Sequence, residues 1–192
     1  MVENTENQTA APGRAHQAAK YKPTYQLDVA SSLANAIVAR LKPYCSRIEV
    51  AGSIRRKKSR VHDIDIVLIP SDPWNLLQEV NRLAWPNIKS RSGSKITSFT
   101  YNGIPVDLYF ADEKSWVTLF LIRTGSAEFN IWLCSLAKRK GWKLHADGGG
   151  LYDDRGCRYA AESEEAIMNA LGLRYFPPQY REKAKGAAIG ED

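Results

Sequence analysis

The chain has little sulfur, no long apolar run and no leader-like start. Among its 192 residues are three cysteines and two methionines. Cys45, Cys134 and Cys157 are odd in number, far apart and never spaced as C-x2-C, which excludes a disulfide framework and a zinc site of the usual pattern. Each reads as a small packed residue. The longest apolar stretch, Trp116 to Ile122, is broken at Thr118, far short of the ~20 residues that a bilayer span needs, so no membrane partner is expected. The first ten residues, MVENTENQTA, lack the basic start and apolar middle of a secretory signal. The expected compartment is therefore the reducing cytoplasm. There is no internal repeat.

What is present fits one globular unit or two small lobes sharing a boundary: 44% hydrophobic and 25% charged residues. Lysine plus arginine number 27 against 21 acids, a net charge of +6 that favours polyanionic partners, nucleic acid among them.

Residues 1–24 are rich in Asn, Gln, Thr and Ala without an apolar period, and read as a flexible arm. From Leu27 apolar residues recur at 30, 33, 34, 37, 38 and 41, one helix face, closed by Pro43. A short strand, Arg47 to Ala51, runs into Gly52-Ser53 and a basic loop from Arg55 to Arg60; a second strand spans Asp63 to Ile69. Residues 73–84 predict a helix with Trp74, Leu77, Val80 and Leu83 on its inner face. Lys95–Tyr101 and Ile104–Phe110 alternate around Asn102-Gly103, a hairpin turn. A helix is predicted from about Asp112 to Arg123, another after Ser126 to Lys140, stopped by Gly141, and a last one from near Glu162.

The chemistry gathers on acids. Strand alternation puts Asp63 and Asp65 on one face, ~6–7 Å apart. Alone, such a pair also fits turn capping or plain exposure. Asp107, set among apolar residues in a second strand, adds a third carboxylate. Three acids converging on one sheet face repel each other unless divalent cations neutralise them, the arrangement needed to hold two hard ions for phosphoryl transfer. Upstream, Gly52-Ser53 turns directly into Arg55, Arg56, Lys57, Lys58 and Arg60, so phosphate donors and cations share a loop with the acids. A solvated basic loop is the plainer reading of that charge run.

The run from Gly52 through Asp63-Ile-Asp65 to Val67 resembles the nucleotidyltransferase signature of the family X DNA polymerases, the polymerase beta-like group. Val106-Asp107-Leu-Tyr-Phe110 resembles that family's third-acid strand. Thr124-Gly-Ser-Ala-Glu-Phe-Asn130 is similar to the segment where palm passes into thumb, and Ala161–Glu165 with Leu171–Pro178 resembles the thumb's closing section. The likeness covers residues 27 to 182, four motifs in order.

The resemblance implies an α+β (mixed) fold: a nucleotidyltransferase palm at 25–123 with a mixed or antiparallel sheet and helices, then a small α/β thumb at 124–192. It implies a repair-type DNA polymerase of bacterial or phage context, acting as a monomer and filling short gaps from dNTPs on gapped or primer–template DNA. By similarity Asp63 and Asp65 hold two Mg²⁺ ions, with Mn²⁺ as an alternative, and Asp107 holds the catalytic one and helps deprotonate the primer 3′-hydroxyl. Gly52, Ser53 and Arg56, with Arg55 beside them, and Thr124, Gly125, Ser126 and Asn130 are the implied nucleotide contacts. Lys57, Lys58, Arg60, Lys95, Cys134 and Lys138 are the implied DNA contacts; from charge alone, Lys89, Arg91, Arg139 and Lys140 read as further groove walls or as solvated surface.

The chain also departs from the pattern. Ile122 and Arg123 stand where animal members carry two aromatics, so strict ribose exclusion is not implied. Cys134 replaces an arginine that reaches the template, and Pro105 and Tyr109 replace arginines flanking Asp107. Only a polar arm and one helix precede Gly52, so no lyase activity is expected. Two other readings keep the same residues: a template-independent nucleotidyltransferase on RNA, protein or a small molecule, and a non-catalytic nucleic-acid-binding module.

Overall fold

A computed structural model describes residues 23–85, 91–92 and 94–182. Most of the N-terminal arm, together with Lys89 and the Arg91 side chain, lies outside the described residues. The fold is mixed α+β, built on a five-stranded sheet.

Strand β1 (Tyr25–Gln26) leads directly into helix α1 (Leu27–Leu41), and a 3-10 turn (Lys42–Tyr44) carrying Pro43 ends it. Ala30, Ala34, Ile37 and Leu41 are fully buried, the i, i+4, i+7, i+11 stripe that the sequence spacing predicts. Two alanines in that stripe let the helix sit close to the sheet. Strand β2 (Cys45–Val50) follows, then a single helical turn, α2 (Gly52–Arg55), and strand β3 (Arg60–Val61), which pairs with β1.

Strand β4 (Ile64–Pro70) is the hub. It runs antiparallel to β2 and parallel to strand β7 (Ile104–Phe110), which pairs antiparallel with β6 (Ile96–Tyr101) and through it with β5 (Arg91–Ser92); the sheet order is β2-β4-β7-β6-β5. The β6–β7 hairpin turns at Asn102 and Gly103, both with positive φ, as its sequence requires.

The two faces of the sheet are sorted by parity. Ile64, Ile66 and Leu68 of β4 and Ile104, Val106 and Leu108 of β7 face α1 and α3 (Pro73–Ala84) in the larger core. Each such buried Leu or Ile contributes about 1.5–3 kcal/mol relative to exposure. Val67, Ile69 and Tyr109 face the other way, under helix α4 (Trp116–Thr124), packing with Trp116 and Leu119. Asp65 and Asp107 share that second face by alternation.

Helix α3 differs from the sequence expectation. Leu76, Val80 and Leu83 are buried, whereas Trp74 is 70% and Leu77 43% exposed. Steps of three residues drift by about 60° each on a helix, so Trp74 and Leu83 lie on opposite sides. The inner face follows the i, i+4, i+7 set instead. Buried Glu79 there accepts from Arg40 of α1 and from Arg82, tying α1 to α3. Helix α4 begins later than predicted, because the Asp112 carboxylate accepts from the Ser115 N–H and hydroxyl and holds 112–115 as a turn.

Beyond α4, helix α5 (Ala127–Arg139) is capped by Ser126, whose Oγ accepts from the Phe129 N–H. A two-stranded ribbon, β8 (Lys143–Leu144) with β9 (Leu151–Tyr152), and helix α6 (Glu164–Ala170), followed by a 3-10 turn (Pro178–Tyr180), complete the lobe. Its core joins Phe129, Leu133, Leu151, Ile167 and Met168 to Leu121 and Ile122. Helix α4 thus contributes its first half to the core under the sheet and its second half to the C-terminal core. Among the described residues no helix is long and apolar enough to cross a membrane.

Candidate active site

Strand β2 ends with the Ala51 N–H donating to the Asp65 carbonyl (2.8 Å), which brings Gly52 against the Asp65 side chain. Gly52 has φ +59°, and a Cβ there would fall on the Asp65 carboxylate. Only glycine satisfies both the backbone angle and the contact.

Parallel pairing of β4 and β7 sets Asp65 directly beside Asp107, with Asp63 two residues upstream. On the other side of Asp107 in the sheet is Ser98, whose hydroxyl donates to the Asp107 carboxylate at 2.5 Å. The Tyr109 hydroxyl lies 3.4 Å from Asp107 Oδ2 and within reach of Asp65. Burial first, then the charges of Asp63 and Asp107, push the Asp65 carboxyl up to about 7, against the opposing pull of Tyr109 and Arg56. Burial, then the charges of Asp65 and Asp107, raise the Tyr109 phenol as well.

Asp63 and Asp65 open onto a cleft of about 470 Å³ whose walls also include Ser53, Arg56, Tyr109, Arg123 and Asn130, with Asp107 beside Asp65 in the sheet. Among the described residues three buried side-chain polar atoms have no hydrogen-bond partner, Ser53 Oγ, Arg123 Nε and Asn130 Oδ1, and all three residues line this one cleft. Buried polar atoms are ordinarily satisfied, so the cleft is where a bound molecule or water would find donors and acceptors ready. The Asn130 amide is aimed by its own Nδ2, which donates to the Ile122 carbonyl at 2.7 Å. It lies so close over Gly125 that any Cβ there would strike its Oδ1.

A second cleft, about 510 Å³, lies beyond Tyr109 and Arg123 and is rimmed by Lys95 and Asp147. It is larger, but it lacks the acids, and Lys95 and Asp147 already pair with each other at 3.3 Å.

The remaining predicted residues divide. Arg56 lines the acid cleft and donates to Glu182 Oε1 (2.5 Å) and to the Thr124 carbonyl (2.6 Å), while Lys58 donates to Glu182 Oε2 at 3.0 Å. Arg60 is exposed on the cleft wall, whereas Lys57 is exposed away from it with φ +57°. Arg55, expected among the nucleotide contacts, points elsewhere. It donates to both Glu164 oxygens (2.7 and 2.8 Å) and to Thr124 Oγ1 (2.7 Å), and it stacks 3.8 Å from the Phe120 ring centroid. One turn of helix explains the correction: successive side chains leave it about 100° apart, so Arg55 and Arg56 diverge.

Thr124 and Ser126 are similarly engaged, Thr124 by Arg55 and Ser126 by donating to the Glu182 carbonyl at 2.7 Å. Cys134 is half-buried with its thiol 3.6 Å from the Leu144 carbonyl, and burial raises its pKa. Lys138 is exposed. Sequence reasoning did not place Glu182, Glu164 or Arg181 at the site at all. The only advance signal for Tyr109 and Arg123 was that their types were unusual for those positions.

The family description "DNA polymerase beta thumb" matches residues 119–182. Over 177 residues the chain is 29% identical to the DNA polymerase/3′-5′ exonuclease PolX of Bacillus subtilis, covering 88% of this chain. The chain is family X polymerase-like. It spans 30% of the length of the Bacillus subtilis protein. The fold is also that of Leishmania infantum polymerase beta, crystallised as a ternary P/T complex, with TM-score 0.70 and 18% identity over 83% of this chain and 77% of that one.

Family X polymerases use divalent metals, and the donor set here fits such ions. Asp63, Asp65 and Asp107 offer hard carboxylate oxygens, and burial first, then the two neighbouring acids, raise the Asp65 carboxyl. As they stand, no three His, Cys, Asp or Glu side chains among the described residues are grouped so that they could hold a metal ion, so the three acids would have to draw together around one.

Proposed function

We propose that the chain is a DNA-directed DNA polymerase of repair type that fills short gaps in primer–template DNA from dNTPs, acting as a monomer. The observation that carries this reading is the cleft in which Asp63 and Asp65, with Asp107 beside Asp65 in the sheet, meet three buried polar atoms that have no hydrogen-bond partner among the described residues. Asp63, Asp65 and Asp107 would hold two divalent ions, Mg²⁺ or Mn²⁺, which when bound neutralise charge on the attacking and leaving oxygens.

Asp107 takes the proton of the primer 3′-hydroxyl, with Ser98 fixing the carboxylate that receives it. The 3′-oxygen bonds to the α-phosphorus as the bond to the β-phosphate bridging oxygen breaks, and pyrophosphate leaves. Ser53 Oγ, Arg56 and Lys58 bind the triphosphate, the two cations exchanging the Glu182 carboxylate for phosphate oxygens. Gly125 offers a flat surface to the sugar, and the unpartnered Asn130 Oδ1 accepts from the incoming nucleotide. Lys57, Arg60, Lys95 and Lys138 are surface cations available to the DNA backbone, and Cys134 adds only a thiol near the template.

Extension of a gapped primer–template with Mg²⁺ tests the reading. Asp107→Ala should lower the rate by more than about 10²-fold; an unchanged rate would remove the mechanism. Equal extension of an unpaired single-stranded primer would replace it with a template-independent transferase.

A further inference from the structure

Three arginines line the acid cleft, Arg56, Arg60 and Arg123. Arg56 is engaged by Glu182 and the Thr124 carbonyl, Arg60 is exposed to solvent, and Arg55 beside them turns away to Glu164 and Thr124. Arg123, in the last turn of helix α4, is half-buried, with Nε fully enclosed and unpartnered. Among the described residues its guanidinium makes no hydrogen bond or ion pair. It stacks on the Tyr109 ring, whose centroid lies 4.2 Å from its central carbon. Stacking fixes the plane of a guanidinium without using any of its N–H donors. The chain therefore holds a pre-oriented cation with an open fork at the wall of the cleft.

The sheet order tells which part of a substrate that fork meets. Gly52, Ser53, Arg56 and Lys58 approach the acids from the β2 side of β4. Asp107 and Tyr109 lie on β7, on the opposite side, and Arg123 stacks over Tyr109. The two groups of cations thus flank the carboxylates from opposite edges. With the triphosphate on the first side, the strand that brings a 3′-oxygen to Asp107 has to enter on the second. No cation on β7 meets it, since Asp107 is flanked on its own face by Pro105 and Tyr109. A backbone phosphate passing three carboxylates needs a local counter-charge, and an arginine fork matches phosphate oxygens.

We propose that Arg123 is a specificity-determining contact to the last phosphodiester of the acceptor strand, holding the terminal nucleotide over Asp107. This rests on the polymerase reading above for the direction in which substrates lie. It also accounts for a guanidinium kept partly out of water without an ion pair among the described residues, an arrangement that is costly unless a ligand completes it.

The test is a double-mutant cycle read by binding, with fluorescence anisotropy of a recessed primer–template whose terminal primer linkage is either a phosphate or a neutral methylphosphonate. Arg123→Ala should weaken the phosphate duplex about tenfold or more and the methylphosphonate duplex less than about twofold. In primer extension, the loss should appear in the KM for primer, with the nucleotide KM nearly unchanged. Arg123→Lys, which keeps charge but not the fork, should fall between. Thermal melting verifies folding of each variant, and Arg123→Gln carries the cycle if Arg123→Ala is unstable. Equal losses on both duplexes, or a loss confined to the nucleotide KM, would overturn the assignment. Because binding needs no turnover, a protein that extends no primer yet shows the linkage-dependent loss keeps the Arg123 contact and discards the polymerase chemistry.

Discussion

Arg181, which has no solvent exposure, donates from both terminal nitrogens to the Glu164 carboxylate, at 2.6 and 3.2 Å. Glu164 accepts from Arg55 at the same time, so one carboxylate neutralises two guanidinia from distant parts of the chain. Burial alone would raise the Glu164 pKa, but the hydrogen bonds and charges of Arg55 and Arg181 hold it below the usual glutamate range.

Glu164→Gln should therefore destabilise the fold by about 3–5 kcal/mol, because it leaves Arg181 buried without a counter-charge. Urea unfolding measures this. The sign of the pH effect follows from a folded-state pKa below the unfolded one. The stabilisation is present above the ordinary glutamate range and is lost as pH falls through the depressed value. A Glu164→Gln protein should lose that acid sensitivity.

Asp65 behaves in the opposite sense. Its carboxyl is pushed up to about 7, so the metal-free fold favours the protonated form. Its contribution is present below the ordinary aspartate range and is lost as pH rises through 7. Without metal, Tm should fall between pH 5 and 8, and Asp65→Asn should flatten that slope. Mg²⁺ should raise Tm more at pH 8 than at pH 5, since ionised acids bind it without first losing a proton. Differential scanning calorimetry at two pH values decides it; a larger Mg²⁺ effect at pH 5 would contradict the placement.

Gly52→Ala forces a Cβ onto the Asp65 carboxylate at a backbone angle that alanine rarely adopts. Displacement of a reacting group by ~1 Å can cost about 10²-fold in rate. Extension should fall by that order while the circular dichroism spectrum keeps its shape. Gly103→Ala, also at positive φ but with open space around it, should leave extension unaltered.

Glu182 competes for the cations assigned to the triphosphate. Glu182→Gln should lower the nucleotide KM about threefold, a modest gain because Lys58 and Glu182 are both partly solvated. Arg56→Ala should raise it and abolish the gain in the double variant. Steady-state kinetics at two salt concentrations separates the pair from general electrostatics, which salt screens.

The sequence made the elements legible where one rule decided them. Asn102-Gly103 set the hairpin, and the stripe through Ala30, Ala34, Ile37 and Leu41 set α1. It failed where phase accumulates: the three-residue steps at Trp74, Leu77 and Val80 look periodic on paper yet wind around the helix. Both Asp65 and Asp107 could be assigned to strands, but their side-by-side register depends on a parallel pairing between segments about 40 residues apart, which no local pattern encodes. Arg55 and Arg56 look equivalent as letters, and only the one-turn helix separates their directions. Glu182 reaches the cleft through tertiary contacts with Ser126 and Arg56, so its role has no signature in its neighbours.

The Arg55–Glu164 pair spans 109 positions of chain. During synthesis, at about 5–20 residues per second, the sheet and its first acids leave the ribosome several seconds before Glu164 exists, and Arg181 follows later still. Until then the turn that carries Ser53 and Arg56 reaches Thr124 but lacks its carboxylate partners Glu164 and Glu182. The cleft walled by Ser53 and Arg56 is thus among the last parts of the described fold to set, because the basic loop that forms it waits for carboxylates made late in synthesis.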